Sequence, residues 1–204
     1  MICPDKLIVK LLYGSGLRVA EALRLRVQEI DFSMKQLTVR GGKGDKDRLT
    51  TFPASITPFL QNHLKKVKLF HQRDLDQGYG EVYLPYALSK KYKNAAREWG
   101  WQYVFVSSQL SIDPLSGVTR RHHIDPSVVN KTIKRAVRLL GIDKRITAHT
   151  FRHSFATHLL QRGTDIRTIQ GLLGHNDVKT TEIYTHIVKQ GGQEVVSPLD
   201  DLEV

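Results

Sequence analysis

The chain has a single cysteine, Cys3, among its 204 residues. One thiol can build neither a disulfide framework nor a cysteine-based zinc site, which predicts a reducing, intracellular compartment. Long hydrophobic runs are missing too: no stretch approaches the ~18 to 20 apolar residues that span a bilayer. The opening MICPDKLIVKLLYGSG lacks a basic segment ahead of a cleavable apolar one, so membrane insertion and secretion are unsupported. Acidic residues are scarce, with 20 Asp+Glu against 31 Lys+Arg and a formal charge of +11. A surplus of this size points to a polyanionic partner, nucleic acid ahead of a membrane surface. At this length, roughly two thirds of the unfolded surface can be buried, so a core needs no staples.

Periodicity and capping signals predict an α+β, mainly helical chain with a small antiparallel sheet, read as one domain. Leu7, Ile8, Leu11 and Leu12 follow Pro4-Asp5 at helical spacing, and Gly14-Ser15-Gly16 ends that helix. A second short helix covers Leu17 to Leu25. Residues 37–39 and 49–52 read as strands around the glycine-rich, cationic tip Gly41 to Lys46. Helices are predicted over 57–72, from Ser127 to Leu140, from Thr147 as N-cap to Arg162, from Asp165 to Leu173, and from Lys179 to Val188. Gly191-Gly192 begins a tail over 191–204.

Four strings concentrate chemistry-bearing residues. Arg18 and Glu21 lie three apart on a helix, and His149 and Arg152 repeat that spacing, so a general acid/base and a forked cation face one side. Leu172-Leu173-Gly174-His175 sets a histidine just past a helix end, and Tyr184 follows nine residues on. Arginine forks match nonbridging phosphate oxygens in a way that a lysine point charge does not. Two arginines and a histidine can therefore hold a phosphorane-like transition state without a metal. Tyrosine, with a free pKa near 10, needs a base or cations that favour the phenolate. His149 or the cationic cluster would serve, and Lys43 on a hairpin tip suits a general acid at a leaving 5′ oxygen.

Other motifs fail. His149 and His153 have the i, i+4 spacing of a zinc-protease helix, but Thr150 stands where the general-base Glu belongs. In GGKGDK the lysine precedes Gly44 rather than Ser or Thr, which excludes a triphosphate loop. Gly14-Ser15-Gly16 lacks the frame of a nucleophile elbow.

GSGLRVAEAL, GGKGDKDR, HTFRHSFATHLL and LLGHNDVKTTEIYTH, in this order, resemble the four boxes of the tyrosine recombinases, also called the phage integrase family. The resemblance covers essentially the whole chain and implies catalytic Arg18, Lys43, His149, Arg152 and His175. It implies Tyr184 as a nucleophile that forms a 3′-phosphotyrosyl link, with Glu21 supporting Arg18. The domain is then expected over residues 1–190, and no counterpart of the family's N-terminal core-binding domain is expected ahead of it. Because a phosphotyrosyl link conserves the phosphodiester energy, no cofactor and no metal are expected. DNA is the expected partner, bound by a homo-tetramer, and the expected location is the bacterial cytoplasm at the nucleoid.

Residues 79–125, which hold both tryptophans and five of the seven tyrosines, are similar to the extra segment of integron integrases. Those enzymes move gene cassettes and recognise folded single-strand hairpins through extruded bases. Trp99, Trp101, His122 and His123 are the candidate stacking surfaces, at ~1 to 3 kcal/mol per base. The tryptophans suit the core of the insertion equally well, and the histidines suit a plain loop. Lys46, Arg48, Arg120, Arg121 and the helical face Lys131, Lys134, Arg135 and Arg138 are the expected backbone contacts; that face also reads as a solvated surface. Two other readings stand beside recombination: a catalytically silent DNA-binding module, including one that co-assembles with complete recombinases, and type IB topoisomerase-like relaxation.

Overall fold

The computed structural model of the chain describes residues 4–41, 47–114 and 116–190. Helices dominate it, as the capping and spacing signals predict. α1 (Pro4–Gly14) buries Leu7, Ile8, Leu11 and Leu12, each no more than 1% exposed. At ~1.5 to 3 kcal/mol per buried side chain, this stripe makes α1 the helix on which its neighbours pack. Against it lie α2 (Val19–Arg24), α3 (Thr57–Asp76), α5 (Pro126–Leu139) and α6 (Ala148–Gln161). Among the described residues, no helix is long and apolar enough to cross a membrane.

Local chemistry sets the ends of these helices. Asp125 caps α5 by accepting the Ser127 N–H at 2.8 Å, with Pro126 supplying the fixed φ of the first turn. α7 (Ile166–Leu173) is capped by Asp165, which accepts the Thr168 N–H at 2.8 Å. Its other end closes on Gly174, left-handed at φ 65°, whose N–H returns to the Gln170 carbonyl. α8 (Lys179–Gln190) then carries Tyr184 back onto α6 and α7.

A three-stranded antiparallel sheet, β1 (Ile30–Asp31), β2 (Gln36–Val39) and β3 (Arg48–Thr51), covers the other side. The β2–β3 register runs from Gln36 opposite Thr51 to Val39 opposite Arg48. Lys43 and Lys46, expected on a hairpin tip, lie outside the described residues. β3 holds the loop ahead of α2: Thr50 and Thr51 donate their hydroxyls to the Ser15 and Gly14 carbonyls at 2.8 and 3.1 Å. Gly16 within that loop has φ 62°, and a Cβ there would sit 2.5 Å from the Phe155 ring. Only glycine lets α6 approach the arginine-bearing loop this closely.

The aromatic segment forms a satellite core. Val82, Leu84, Ala95 and Tyr103 are buried together, with Trp101 packed against them. The segment includes α4 (Tyr86–Lys91) and a two-stranded ribbon, β4 (Ser111–Ile112) with β5 (Thr119–Arg120). Arg26, only 8% exposed, fastens it to the end of α2. Its guanidinium donates to the Trp101 and Tyr83 carbonyls and lies 4.7 Å from the Tyr103 ring centroid.

Candidate active site

Glu21 is the hub. It stands at the third position of α2 and accepts the Arg18 N–H at 2.8 Å, so the residue that positions Arg18 also closes the first turn. Arg18 Nη1 donates to Oε1 at 2.9 Å, and Arg48 forks onto both oxygens at 2.9 and 2.7 Å. Arg152 Nη1 lies 3.8 Å from Oε2. Burial pushes the Glu21 carboxyl up, but the hydrogen bonds from Arg48 and Arg18 and the Arg48 charge outweigh it and hold the pKa below the usual value.

Arg152 occupies a core position. Its neighbours on the buried stripe of α6 are Ala148, Phe155 and Ala156, and its own side chain is 5% exposed. The fork therefore needs partners: Nη1 donates to the Gly16 carbonyl, and Nη2 donates to the Leu173 carbonyl at 2.6 Å and to His175 Nε2 at 3.2 Å. Burial, with the Arg18 charge second, lowers its pKa to about 10, which leaves it protonated at neutral pH.

His175 is held at four points. Its N–H reaches the Gln170 carbonyl at 3.2 Å, and its carbonyl accepts Gln170 Nε2 at 3.0 Å. Because Arg152 donates to Nε2, the ring proton is assigned to Nδ1, which donates to Thr181 Oγ1 at 2.9 Å. Burial first, and then the Arg152, Arg18 and Arg48 charges, lower the His175 pKa to about 4. Tyr184 lies beside it, 2% exposed, with its ring stacked 6.4 Å from His175 and tilted 5.4 Å from His153. Burial raises the phenol pKa, while the Arg152 and Arg18 charges pull the other way.

These shifts set an acid limit on stability. His175, His153, His63 and His71 all have lowered pKa values, with burial the first cause in each. Each holds fewer protons folded than unfolded, so stability is full above about 6.5 and falls as pH drops through the lowered values, about 4 for His175. Urea unfolding of His175→Gln is expected to lose less stability than wild type between pH 6.5 and 4.5; equal losses contradict this.

Arg18, Glu21, Arg152, His175 and Tyr184 thus converge from four elements. His149 opens α6 on its exposed first turn, and its charge acts on His153. His153, against the Tyr184 ring, was not among the expected site residues, although it sits in the same HTFRH string.

Several residues expected at DNA are engaged elsewhere. Arg48 is 9% exposed and bound to Glu21. Arg121 forks onto Asp74 at 2.6 and 2.8 Å and donates to the Ser107 carbonyl, tying the segment to α3. Arg120 is 14% exposed, 3.8 Å from Asp113, and donates to the Val82 carbonyl at 3.4 Å and the Ser116 hydroxyl at 3.3 Å. Trp99 packs on the main core beside His71. A guanidinium paired with a buried carboxylate, or an indole in a core, offers little to a nucleic acid. By contrast, Lys131, Lys134, Arg135 and Arg138 are exposed along α5.

Trp101, His122 and His123 do meet, in a cavity of about 910 Å³ that Tyr83, Tyr103, Arg24 and Arg26 also line. Arg18 and Glu21 line it as well, so one space joins the aromatic segment and the arginine hub. His123 presents its ring edge-on to Tyr103 at 5.2 Å and donates Nδ1–H to the Ile124 carbonyl at 2.8 Å. Among the described residues, no three His, Cys, Asp or Glu side chains cluster to hold a metal.

Known proteins resemble the chain along nearly its whole length. An integrase/recombinase of Escherichia coli is 49% identical over 197 residues, covering 97% of this chain and 58% of that protein. The tyrosine recombinase XerA of Pyrococcus furiosus is 36% identical over 199 residues, 98% of this chain and 56% of that protein. The chain therefore spans somewhat more than half the length of these curated relatives. Its fold is similar to a crystal structure of XerH site-specific recombinase bound to a palindromic difH substrate in a post-cleavage complex. That likeness has a TM-score of 0.65 at 25% identity, covering 97% of this chain and 46% of that one. With residues 2–190 matched by the phage integrase family, and residues of three sequence-distant boxes meeting at the Glu21 carboxylate while the fourth joins them through Arg48 and Arg152, the chain belongs to that family.

Proposed function

We propose that this chain cleaves and rejoins DNA strands through a 3′-phosphotyrosyl intermediate in site-specific recombination. The observation that carries the reading is that Arg18 and Arg152 meet at Glu21, His175 bonds to Arg152, and Tyr184 stacks on His175. A scissile phosphate accepts hydrogen bonds from Arg18 and Arg152. Its charge favours protonated His175, which then donates as well. Tyr184 Oη attacks phosphorus and forms the O–P bond as the P–O5′ bond breaks; His149 takes the phenol proton, or the cationic cluster favours the phenolate and its proton leaves to solvent, and Lys43 gives a proton to the 5′ oxygen. The reverse attack by a 5′ hydroxyl rejoins the strand, so the phosphodiester energy is conserved.

The substrates we propose are integron cassette sites folded as single-strand hairpins, synapsed by four copies of the recombinase. The cavity that joins Trp101, His122 and His123 to Arg18 supports this reading, because a base extruded from a hairpin is flat, apolar on its faces and deliverable next to the cleavage point. The α5 cations would follow the backbone and make binding salt-sensitive.

A substrate comparison tests this. Cleavage is expected on a hairpin with extruded bases, and removing one stacked base is expected to weaken binding by about 5- to 150-fold. Equal activity on a fully paired duplex contradicts the cassette reading. Relaxation of a supercoiled plasmid without any such site favours the topoisomerase-like alternative, and binding without cleavage favours the silent module.

A further inference from the structure

Arg48 opens β3 at the foot of the cationic hairpin, where a phosphate contact is the natural expectation. Its surroundings are those of a buried strut. The guanidinium forks onto both Glu21 oxygens at 2.9 and 2.7 Å, and Nε donates to the Leu172 carbonyl at 2.9 Å. Its stem fills the space over Gly174, where a Cβ would approach Arg48 Cδ to 2.7 Å. A phosphate would have to displace a carboxylate from a bidentate contact, a pairing that Arg152 does not make with Glu21.

Three of the four sequence boxes meet on this side chain. Arg48 belongs to the hairpin, Glu21 holds Arg18 through its backbone and side chain, and Leu172 and Gly174 form the helix end from which His175 projects. The neighbouring Leu173 carbonyl is held by Arg152, so two arginines grip successive carbonyls at the end of α7. We propose that Arg48 is a positioning residue for strand cleavage, fixing Glu21 and the α7 terminus together so that Arg18 and His175 address one phosphate. The inference rests on the cleavage reading above. Lysine cannot replace the fork, since one ammonium cannot span two carboxylate oxygens and a carbonyl in this arrangement.

The test uses Arg48→Lys and Arg48→Met in the 204-residue chain, each read in three ways. The first is the rate of covalent adduct formation on a suicide hairpin at saturating DNA, expected to fall on the order of a hundredfold in both variants, with the dissociation constant within about twofold of wild type. A phosphate contact predicts the opposite split: weaker binding, a shallower salt dependence and a wild-type rate at saturation. A charge-only role predicts rescue by Arg48→Lys. A merely structural role predicts a lower Tm with a wild-type rate from the folded fraction. Any of these three results overturns the proposal.

The other readouts are Tm and the ¹⁵N shifts of His175, which need no DNA. Wild type is expected to hold the Nδ1–H tautomer, and both variants to average between tautomers as the helix end loosens. An unchanged tautomer in both variants also overturns the proposal. If wild type forms no adduct, the cleavage reading fails, and the ¹⁵N shifts still decide whether Arg48 positions His175.

Discussion

Glu21→Ala is expected to cost about 3 to 5 kcal/mol of stability, because it leaves Arg48 and Arg152 buried without their carboxylate. The side chains of these arginines are 9% and 5% exposed, so water offers little replacement. Arg18, at 27%, is freer and loses mainly its orientation. Because the folded pKa of Glu21 is lowered, its contribution is present above its ordinary value near 4.5 and lost as pH falls through the folded value. Glu21→Gln keeps the shape and a single acceptor oxygen, so it should fall between wild type and Ala. Urea unfolding at neutral pH, with an unchanged slope, measures the difference. A Glu21→Ala protein within 1 kcal/mol of wild type contradicts the hub.

Arg152→Lys should reduce adduct formation on the order of 10² to 10³-fold. The charge survives, but a lysine has no fork with which to reach the Gly16 carbonyl, the Leu173 carbonyl and a phosphate together. Two consequences follow from one change: the loop bearing Arg18 loses its tie to α6, and His175 Nε2 loses its donor. Single-turnover cleavage under saturating DNA reports the first loss. The His175 titration reports the second, its midpoint rising from about 4 toward the ordinary imidazole value. A variant that cleaves within tenfold of wild type shows that Arg152 is structural only.

Much of this was legible in the sequence where the signal is local. The helices expected from Thr147 to Arg162 and from Asp165 to Leu173 have ends that the structure reproduces within a residue or two. α3 runs four residues past the predicted end at 72 because its buried face continues through His71 and Asp74, polar residues that an apolar pattern does not count. His71 meets the Arg97 carbonyl and Asp74 meets Arg121, contacts made far along the chain. The two-residue strands β1, β4 and β5 and the six-residue α4 are too short to display a period.

The site divides in the same way. Arg152 stands out by its spacing from His149, which puts both on one side of the helix; the structure instead places Arg152 on the buried stripe of α6 and leaves His149 exposed. The pairing of Arg48 with Glu21 carries no local signal, because Glu21 stands 27 positions earlier in a different element. Trp99 and Trp101, two residues apart in one short turn, separate to the main core and to the cavity, and only the packing of Arg26 and His71 decides which goes where. His153 was visible in its string, but its placement on Tyr184 depends on how α8 returns to α6.

Covalent trapping at Tyr184 tests the central claim most directly. Wild-type protein incubated with a nicked hairpin substrate and run on a denaturing gel should give a protein–DNA species that peptide mapping assigns to a 3′-phosphate on Tyr184. Tyr184→Phe, which keeps the buried ring, should bind the same DNA and give none, a loss of at least about a thousandfold. An adduct that persists in Tyr184→Phe, or wild-type binding with no adduct, contradicts the account.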